Sequence, residues 1–329
     1  MVDGFINFNL NEKTPTIIKV IGVGGGGGNA VEYMYEKGIC DVDFVICNTD
    51  YQALRNSPIP CKIQLGKELT AGHGAGNNPA MGEKSAQESL ADIEAILKKD
   101  TRMAFITAAM GGGTGTGAAP VIARLSKDMG ILTVGIVSVP ARFEGPKRLD
   151  QARDGLRRLK DHVDCLIVID NEKIKSIYGS QTISQAFAKA NDVLNIAAKG
   201  IAEIITLPGY INVDFADVRT VMTDSGVAIM GAAQASGEDR AIRAITEALE
   251  SPLLNNNDIL GAKDILLNIT SGTDEITMDE MSQITSHIIR KVGNNAAVIW
   301  GVGTDPDLGD AVSVTIIATG FPTGDIELF

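Results

Sequence analysis

Residues 16–30 read TIIKVIGVGGGGGNA, a β-branched run followed by glycines and then by a helical pattern. Glycine lets a backbone approach a ligand closely, and the amino end of the following helix carries a partial positive charge. The stretch Gly22–Ala30 therefore predicts a phosphate-binding turn between a strand and a helix. A tight turn without a ligand is the alternative, but five successive glycines cost backbone entropy and a turn alone does not need them.

A second glycine-rich segment, GGGTGTG at residues 111–117, also stands between a strand pattern and a helical pattern. Its two threonines add hydroxyl groups beside free backbone N–H groups, which suits a chain of phosphates. A dinucleotide dehydrogenase, with Asp50 as its ribose acid, accounts only for the first glycine loop. A P-loop NTPase is disfavoured because the sequence has no G-x-x-x-x-G-K-[ST] string.

Around these loops, the first half of the chain alternates apolar runs with helical patterns, which predicts a parallel sheet covered by helices. The predicted strands are Thr16–Gly22, Asp43–Thr49, Met103–Ala108, Ile131–Ser138 and Cys165–Asp170, and the predicted helices are Asn29–Glu36, Ala80–Lys98, Ala118–Lys127 and Lys147–Asp161. Ligands of such sheets bind at the carboxyl ends of the strands.

A long helical pattern covers Ile183–Thr206 and ends before Pro208-Gly209. Beyond it we predict strands at Val227–Ala235, Asp264–Ser271, Ala296–Gly303 and Ala311–Thr319, and helices at Ser236–Glu250 and Thr277–Val292. The predicted fold is α/β, with an N-terminal parallel-sheet nucleotide-binding domain, a long central helix and a smaller C-terminal α+β domain. The predicted boundaries are 14–182, 183–207 and 208–320, with terminal extensions at 1–13 and 321–329.

The composition limits the possible partners. The net charge of −12 gives a surface that repels nucleic-acid phosphates and anionic lipids, so we expect no nucleic-acid partner. No apolar stretch approaches the roughly 20 residues that span a bilayer, so we expect no direct membrane insertion. The four cysteines lack metal-site spacing and are typical of free thiols in a reducing, cytoplasmic compartment.

The segment GGGTGTGAAP at residues 111–120 matches the G-G-G-T-G-[ST]-G signature of the tubulin/FtsZ GTPase family, and its AAP is typical of the bacterial cell-division branch. The resemblance extends from about Ile17 to Gly320. Further matching strings are Val20–Ala30, Asn48-Thr49-Asp50, Gly74–Pro79, Phe143-Glu144-Gly145 with Arg148, Phe187–Leu194 and Asn212–Asp217. The resemblance implies a GTPase that assembles head to tail into filaments of the division ring.

The resemblance also implies a site for GTP or GDP, with Mg²⁺ expected beside the triphosphate. It assigns the phosphates to Gly25, Gly26, Gly27, Gly28 and Asn29, the surroundings of the γ-phosphate to Gly74, Ala75 and Gly76, and the β-phosphate region to Gly113, Thr114 and Gly115, with Gly112 and Thr116 beside them. It assigns the ribose and its neighbouring phosphate to Glu144 and Arg148, and the guanine base to Asn171, Phe187 and Asn191, with Asp192 as a neighbour. Asn48 and Asp50 complete the predicted set.

Four of these residues have simpler interpretations. Phe187 can be a core residue, Arg148 a solvated helix charge, Asn171 a helix cap and Asn191 a surface amide. The chain also departs from the family pattern in loops around the predicted nucleotide, where changes bear on affinity and loop mobility rather than on the reaction. These departures are Ala71, His73, Asn77, Val139-Pro140-Ala141 and Asp170.

The glycine loops supply hydrogen-bond donors but no group that orients an attacking water. The best acidic cluster is Asn212, Asp214 and Asp217, although a helix start capped by Asp214 is an equal alternative. A helix of about 20 residues spans about 30 Å, which places this cluster at the far end of the molecule from the phosphates. The resemblance resolves the distance, because the family's equivalent loop docks onto the nucleotide of the next subunit in a head-to-tail contact.

Two competing functions remain open at the level of the sequence. One is a nicotinamide-dependent oxidoreductase, and the other is a filament scaffold that binds GTP without hydrolysing it. The resemblance further implies that division proteins and membrane anchors bind a C-terminal tail absent from this chain, and that the protein works at the cytoplasmic division site.

Overall fold

The computed structural model describes residues 16–206, 209–250, 259–293 and 296–321. The predicted terminal extensions, apart from Phe321, and the predicted helix breaker Pro208 lie outside these residues. The described chain is an α/β structure with two sheets and a long helix between them, so the predicted fold class is confirmed.

Seven of the described strands form one parallel sheet in the order β3-β2-β1-β4-β5-β6-β7. Their bounds are β1 (Ile18–Val23), β2 (Val42–Asn48), β3 (Cys61–Gln64), β4 (Met103–Ala109), β5 (Leu132–Val139), β6 (Cys165–Asp170) and β7 (Gly226–Val227). The helices that connect them are α1 (Gly24–Lys37), α2 (Tyr51–Asn56), α3 (Lys67–Thr70), α4 (Pro79–Glu88), α5 (Leu90–Leu97), α6 (Thr114–Asp128), α7 (Pro146–Lys160) and α8 (Asn171–Tyr178).

Both faces of this sheet are buried, because helices cover each of them. In β1, Ile18 and Val20 belong to one hydrophobic cluster, whereas Ile21 and Val23 belong to another. Successive side chains of a strand point to opposite faces, so a strand buried on both sides is apolar nearly throughout. This explains the continuous apolar runs in the first half of the sequence.

The second sheet lies beyond the long helix α9 (Ile183–Thr206) and the short helix α10 (Phe215–Met222). Among the described residues it has four strands in the order β10-β9-β11-β8, with β11 antiparallel to both of its neighbours. Its elements are β8 (Ile229–Ser236), α11 (Arg240–Leu249), β9 (Asp264–Ser271), α12 (Met278–Val292), β10 (Ala297–Thr304) and β11 (Ala311–Thr319). Single 3-10 turns occur at Arg142–Glu144 and Pro306–Leu308.

Several predicted bounds are wrong, each for a local reason. Helices α1 and α6 begin inside the glycine segments rather than after them. The predicted helix Ala80–Lys98 is interrupted at Ser89, whose hydroxyl accepts a hydrogen bond from Gly66 N at 3.1 Å. The predicted strand Val227–Ala235 divides between the two sheets, with its start in β7 and the remainder in β8.

Candidate functional site

A cavity of about 400 Å³ opens at the carboxyl ends of β1, β4, β5 and β6. This is the edge of a parallel sheet where ligands bind, and the volume suits a small organic ligand. The residues that line it come from both glycine segments, from the strand ends and from α9. They are Val23, Gly25, Gly26, Asn29, Ala109, Met110, Gly112, Gly113, Thr114, Gly115, Ser138, Pro140, Glu144, Arg148, Asn171, Phe187, Ala190, Asn191 and Leu194.

The first glycine segment forms the opening turns of α1 and packs directly on the sheet. A Cβ atom on Gly26 would lie 2.4 Å from Ala109 Cβ, and one on Gly27 would lie 2.4 Å from Thr107 O. A Cβ atom on Gly25 or Gly28 would meet nothing within 4 Å. The glycines therefore bring the amino end of α1 against β4 and leave its unpaired N–H groups beside the cavity, where an anion is favoured.

The second glycine segment presents one threonine to the cavity and buries the other. Thr114 lines the cavity, and its hydroxyl lies 2.7 Å from that of Thr49. Thr116 is fully buried and its hydroxyl accepts a hydrogen bond from Gly111 N at 2.8 Å. Thr114 can therefore meet a ligand, whereas Thr116 stabilises the turn from within.

The predicted γ-phosphate loop contacts the second glycine segment but does not line the cavity. Gly74 N donates to Thr49 O at 3.2 Å, and a Cβ atom on Gly113 would lie 3.0 Å from Ala75 Cβ. The loop is strongly curved, since Ala71 and Asn77 have left-handed φ values of 48° and 55°. Asn tolerates this conformation, whereas Ala at position 71 adopts it at a steric cost.

The opposite end of the cavity is formed by one face of α9. Phe187, Ala190, Asn191 and Leu194 follow the i, i+3, i+4, i+7 spacing that places helical residues on one side. Phe187 is 47% exposed, so it is not a core residue. An exposed ring at a cavity wall can stack on a planar base.

Asn171 offers a further polar group at this end. Its Oδ1 is buried and has no hydrogen-bond partner among the described residues. The helix-capping alternative does not hold, because the side chain of Asp170 caps α8 through Glu172 N at 2.8 Å. Because Asn171 lines the cavity, a ligand N–H group can satisfy this buried acceptor, and guanine carries such donors.

Glu144 and Arg148 line the cavity as an ion pair, with 2.6 Å between Glu144 Oε2 and Arg148 Nη1. The second carboxylate oxygen of Glu144 accepts from Ala141 N at 3.0 Å. The Arg148 side chain is nevertheless 48% exposed, so its charge is both paired and partly solvated. The pair places both a hydrogen-bond acceptor and a positive charge at the cavity.

Some predicted site residues lie elsewhere. Gly28 and Asn48 line a smaller cavity of about 210 Å³ that shares Gly25 and Asn29 with the main one. Asp50 caps α2 through Gln52 N at 2.8 Å. Asp192 accepts a hydrogen bond from the Tyr33 hydroxyl at 3.1 Å, and burial together with this bond raises the pKa of Tyr33. The predicted nucleotide roles of these residues remain predictions.

The sequence prediction omitted seven lining residues. Strand ends could have identified Val23, Ala109, Met110, Ser138 and Pro140, since ligands bind where parallel strands end. Helical spacing from Phe187 could have identified Ala190 and Leu194.

The acidic cluster follows α9 and lines neither of the two cavities above. Asn212 lies in the loop, Asp214 is the N-cap of α10 and Asp217 lies in the first turn of that helix. Asp214 Oδ1 accepts from Asp217 N at 2.8 Å and caps α10, so the capping alternative is realised. Asn212 Oδ1 accepts from Gly209 N at 2.7 Å, which closes the loop on itself. Asp217 is exposed, and its carboxylate has no hydrogen-bond partner within the described chain.

Membrane-spanning helices and metal-binding clusters are both absent from the described residues. None of their helices is long and apolar enough to cross a bilayer. They contain no group of three or more His, Cys, Asp or Glu side chains able to hold a metal ion.

Two family profiles match the chain. The GTPase domain of the tubulin/FtsZ family matches residues 17–179, and the C-terminal domain of the FtsZ family matches residues 226–322. The chain is 50% identical to the cell division protein FtsZ of Porphyromonas gingivalis over 324 residues, which cover 98% of this chain and 71% of the relative.

Solved structures also resemble the described fold. An empty FtsZ dimer from M. jannaschii superposes with a TM-score of 0.89 at 42% identity, covering 96% of this chain and 91% of that one. CetZ2 from Haloferax volcanii, in a GTPγS-bound protofilament, has a TM-score of 0.78 at 21% identity, with 94% of each chain covered, and shows the fold alone.

Proposed function

The chain belongs to the FtsZ cell-division GTPases of the tubulin family, and from this premise we propose that it hydrolyses GTP at a site completed by the next copy of itself. In this proposal the cavity at the edge of the first sheet binds the nucleotide. The segment Asn212–Asp217, called the acidic loop below, supplies the groups that orient the attacking water.

The cavity has the chemical features that GTP requires. The amino ends of α1 and α6 face the phosphates with unpaired N–H groups, and Arg148 adds a positive charge. Phe187 offers a stacking surface and Asn171 offers an acceptor for the base. We propose the remaining predicted residues as supporting contacts, with Gly74, Ala75 and Gly76 nearest the γ-phosphate.

The separation of the acidic loop from the cavity is the observation that supports catalysis between copies. Helix α9 contributes Phe187 to the cavity and ends at Thr206, just before the loop. A helix rises about 1.5 Å per residue, so these two positions are about 29 Å apart. No described residue of 209–217 lines the cavity. In this proposal, therefore, the loop that acts on each nucleotide comes from another copy.

The chemistry of the loop suits water activation. The Asp217 carboxylate is exposed, and Asp214 keeps one oxygen beyond its capping bond. Carboxylates that accept hydrogen bonds from a water direct its oxygen toward phosphorus. The contact joins unlike surfaces, so each copy can engage two neighbours and the assembly extends into a filament. The dimeric M. jannaschii relative favours such self-association.

Magnesium would bind mainly through phosphate oxygens and water, as this ion does in other triphosphate sites. The described residues form no acidic cage, so we assign it no protein ligand. We further propose that residues 14–182, 183–207 and 208–320 are the functional units of the protein. We also propose that it acts in the cytoplasm at the division site, together with other division proteins.

The test is GTP turnover per subunit as a function of protein concentration. We expect almost no turnover at high dilution and a rise beyond a threshold, because each site needs a second copy. Asp214→Ala and Asp217→Ala should retain GTP binding and lose turnover by roughly a hundredfold or more, the scale of losing a catalytic acid–base group. Asp92→Ala, which changes an exposed acid on α5, is the matched control. Constant turnover at every dilution would contradict the proposal, as would normal turnover in both loop variants.

A further inference from the structure

The acidic loop is attached to the second sheet by a side-chain contact that the proposed reaction does not use. The Tyr210 hydroxyl donates to Glu275 Oε1 at 2.8 Å, across 65 residues of sequence. Backbone hydrogen bonds between Ile211 and Val302, at 3.0 and 3.3 Å, hold the same loop against β10. Ile211 and Tyr210, which make these contacts, are one and two residues before Asn212 in the chain.

Glu275 is itself held in place by a buried arginine. Arg240 is only 5% exposed, and its guanidinium donates to Asp274 O, Glu275 O and Asp310 O at 2.7–3.0 Å. It also donates to the Asp274 carboxylate at 2.9 Å and to both oxygens of Glu280 at 2.7 and 3.2 Å. The hydrogen bond from Arg240 lowers the pKa of Glu280 to about 2, so this carboxylate is charged at neutral pH.

The segment 274–280, between β9 and the first turn of α12, is therefore rigidly held. Planar guanidinium groups hold several acceptors in one rigid geometry, and Arg240 does so for three carbonyls and two carboxylates. From this rigid segment, the Glu275 carboxylate accepts the hydrogen bond from Tyr210. The hydrogen bond to Glu275, with the charge of that carboxylate, raises the pKa of Tyr210.

We propose that Tyr210 and Glu275 are positioning residues that hold the acidic loop in the geometry needed for GTP hydrolysis on the neighbouring copy. The inference rests on the proposed function. Tyr210 is 68% exposed, and an exposed hydrogen bond adds little to global stability. Its effect is local, because a small displacement of a catalytic group costs much more in rate than in folding free energy.

The experiment uses Tyr210→Phe, which keeps the ring and removes only the hydroxyl. In the unassembled, GDP-bound chain, amide hydrogen exchange at residues 209–213 and at Val302 should become faster. Above the assembly threshold, kcat should fall by roughly threefold, the scale of one exposed hydrogen bond, while KM for GTP and the melting temperature stay unchanged.

Matched variants separate this bond from other effects. Glu275→Ala should reproduce both changes, and combining it with Tyr210→Phe should add nothing further, because the two residues share one interaction. Glu275→Gln keeps an acceptor oxygen and should remain close to the wild type. Tyr35→Phe is the control, since Tyr35 is 44% exposed and its hydroxyl makes no hydrogen bond within the described chain.

The outcomes distinguish this inference from the proposed function. If Tyr210→Phe leaves both exchange and kcat unchanged while the wild type still shows a concentration threshold, the positioning role is wrong and the proposed function stands. If wild-type turnover shows no threshold, the proposed function is wrong, and the positioning role in catalysis between copies is overturned with it. Faster exchange, lower kcat and rescue by Glu275→Gln, in a wild type that shows the threshold, would support both.

Discussion

Thr49, directly after β2, contacts three segments of the chain near the cavity. It is fully buried, and its hydroxyl lies 2.7 Å from that of Thr114. Its carbonyl accepts from Gly74 N at 3.2 Å and from the Thr70 hydroxyl at 3.3 Å. Thr49 therefore connects the proposed γ-phosphate loop to the glycine segment that lines the proposed nucleotide cavity.

We predict that Thr49→Val weakens GTP binding roughly fivefold, because Thr114 loses a buried hydrogen bond with a net contribution of about 1 kcal/mol. Thr49→Ser retains the hydroxyl and therefore the hydrogen bond to Thr114. This variant should bind GTP within about twofold of the wild type, a difference of no more than about 0.4 kcal/mol. Nucleotide titration below the assembly threshold measures both affinities. Equal affinity for GTP in the valine and serine variants would show that Thr49 does not orient Thr114.

Two residues of the cavity, Phe187 and Asn171, have surroundings that could not be predicted from the sequence. Phe187 could be assigned to a cavity wall only by resemblance, since a phenylalanine on a helix is more often buried, and its 47% exposure is visible only in the folded chain. The unpartnered oxygen of Asn171 depends on Asp170 taking the capping position. Such assignments depend on tertiary neighbours, which composition and spacing do not encode.

The first glycine segment illustrates the same point for an element. The run of glycines predicted a loop followed by a helix at Asn29, yet helix α1 already begins at Gly24. Low helix propensity was overridden by packing, since Gly26 and Gly27 lie where β4 leaves no room for a Cβ atom. The bounds of α9, by contrast, were predicted correctly from the apolar spacing and from the Pro-Gly pair that follows.

This packing leads to a prediction with a matched pair of variants. Gly27→Ala places a methyl group 2.4 Å from Thr107 O and should lower the free energy of unfolding by about 1–3 kcal/mol. Gly28→Ala meets nothing within 4 Å and should leave stability unchanged or raise it by up to about 1 kcal/mol, because alanine favours a helix. Urea unfolding of the nucleotide-free chain measures both. Equal losses in the two variants would rule out packing on β4 as the reason for glycine.

At the scale of the whole molecule, alternation of strands and helices was sufficient to predict the parallel sheet and the edge that carries the cavity. The split of the predicted strand Val227–Ala235 between β7 and β8 was not predictable, since both pieces have the same apolar pattern. Which sheet a strand joins depends on the path of the chain beyond α9.

The last prediction concerns two kinds of subunit in one assembly. Wild-type protein held below its threshold should hydrolyse almost no GTP, and Asp217→Ala protein alone should hydrolyse little at any concentration. When an excess of the variant is added, the two should assemble together, and each wild-type loop then faces the nucleotide of a neighbouring subunit.

Turnover per wild-type subunit should therefore rise to the plateau of the pure wild-type protein and stay there as more variant is added, because one loop completes one site. GTP hydrolysis at fixed wild-type concentration measures this, and an unrelated acidic protein added in equal amount controls for crowding. If each chain instead hydrolysed its own nucleotide without a neighbour, the variant would change nothing, and the distance between the acidic loop and the cavity would need another explanation.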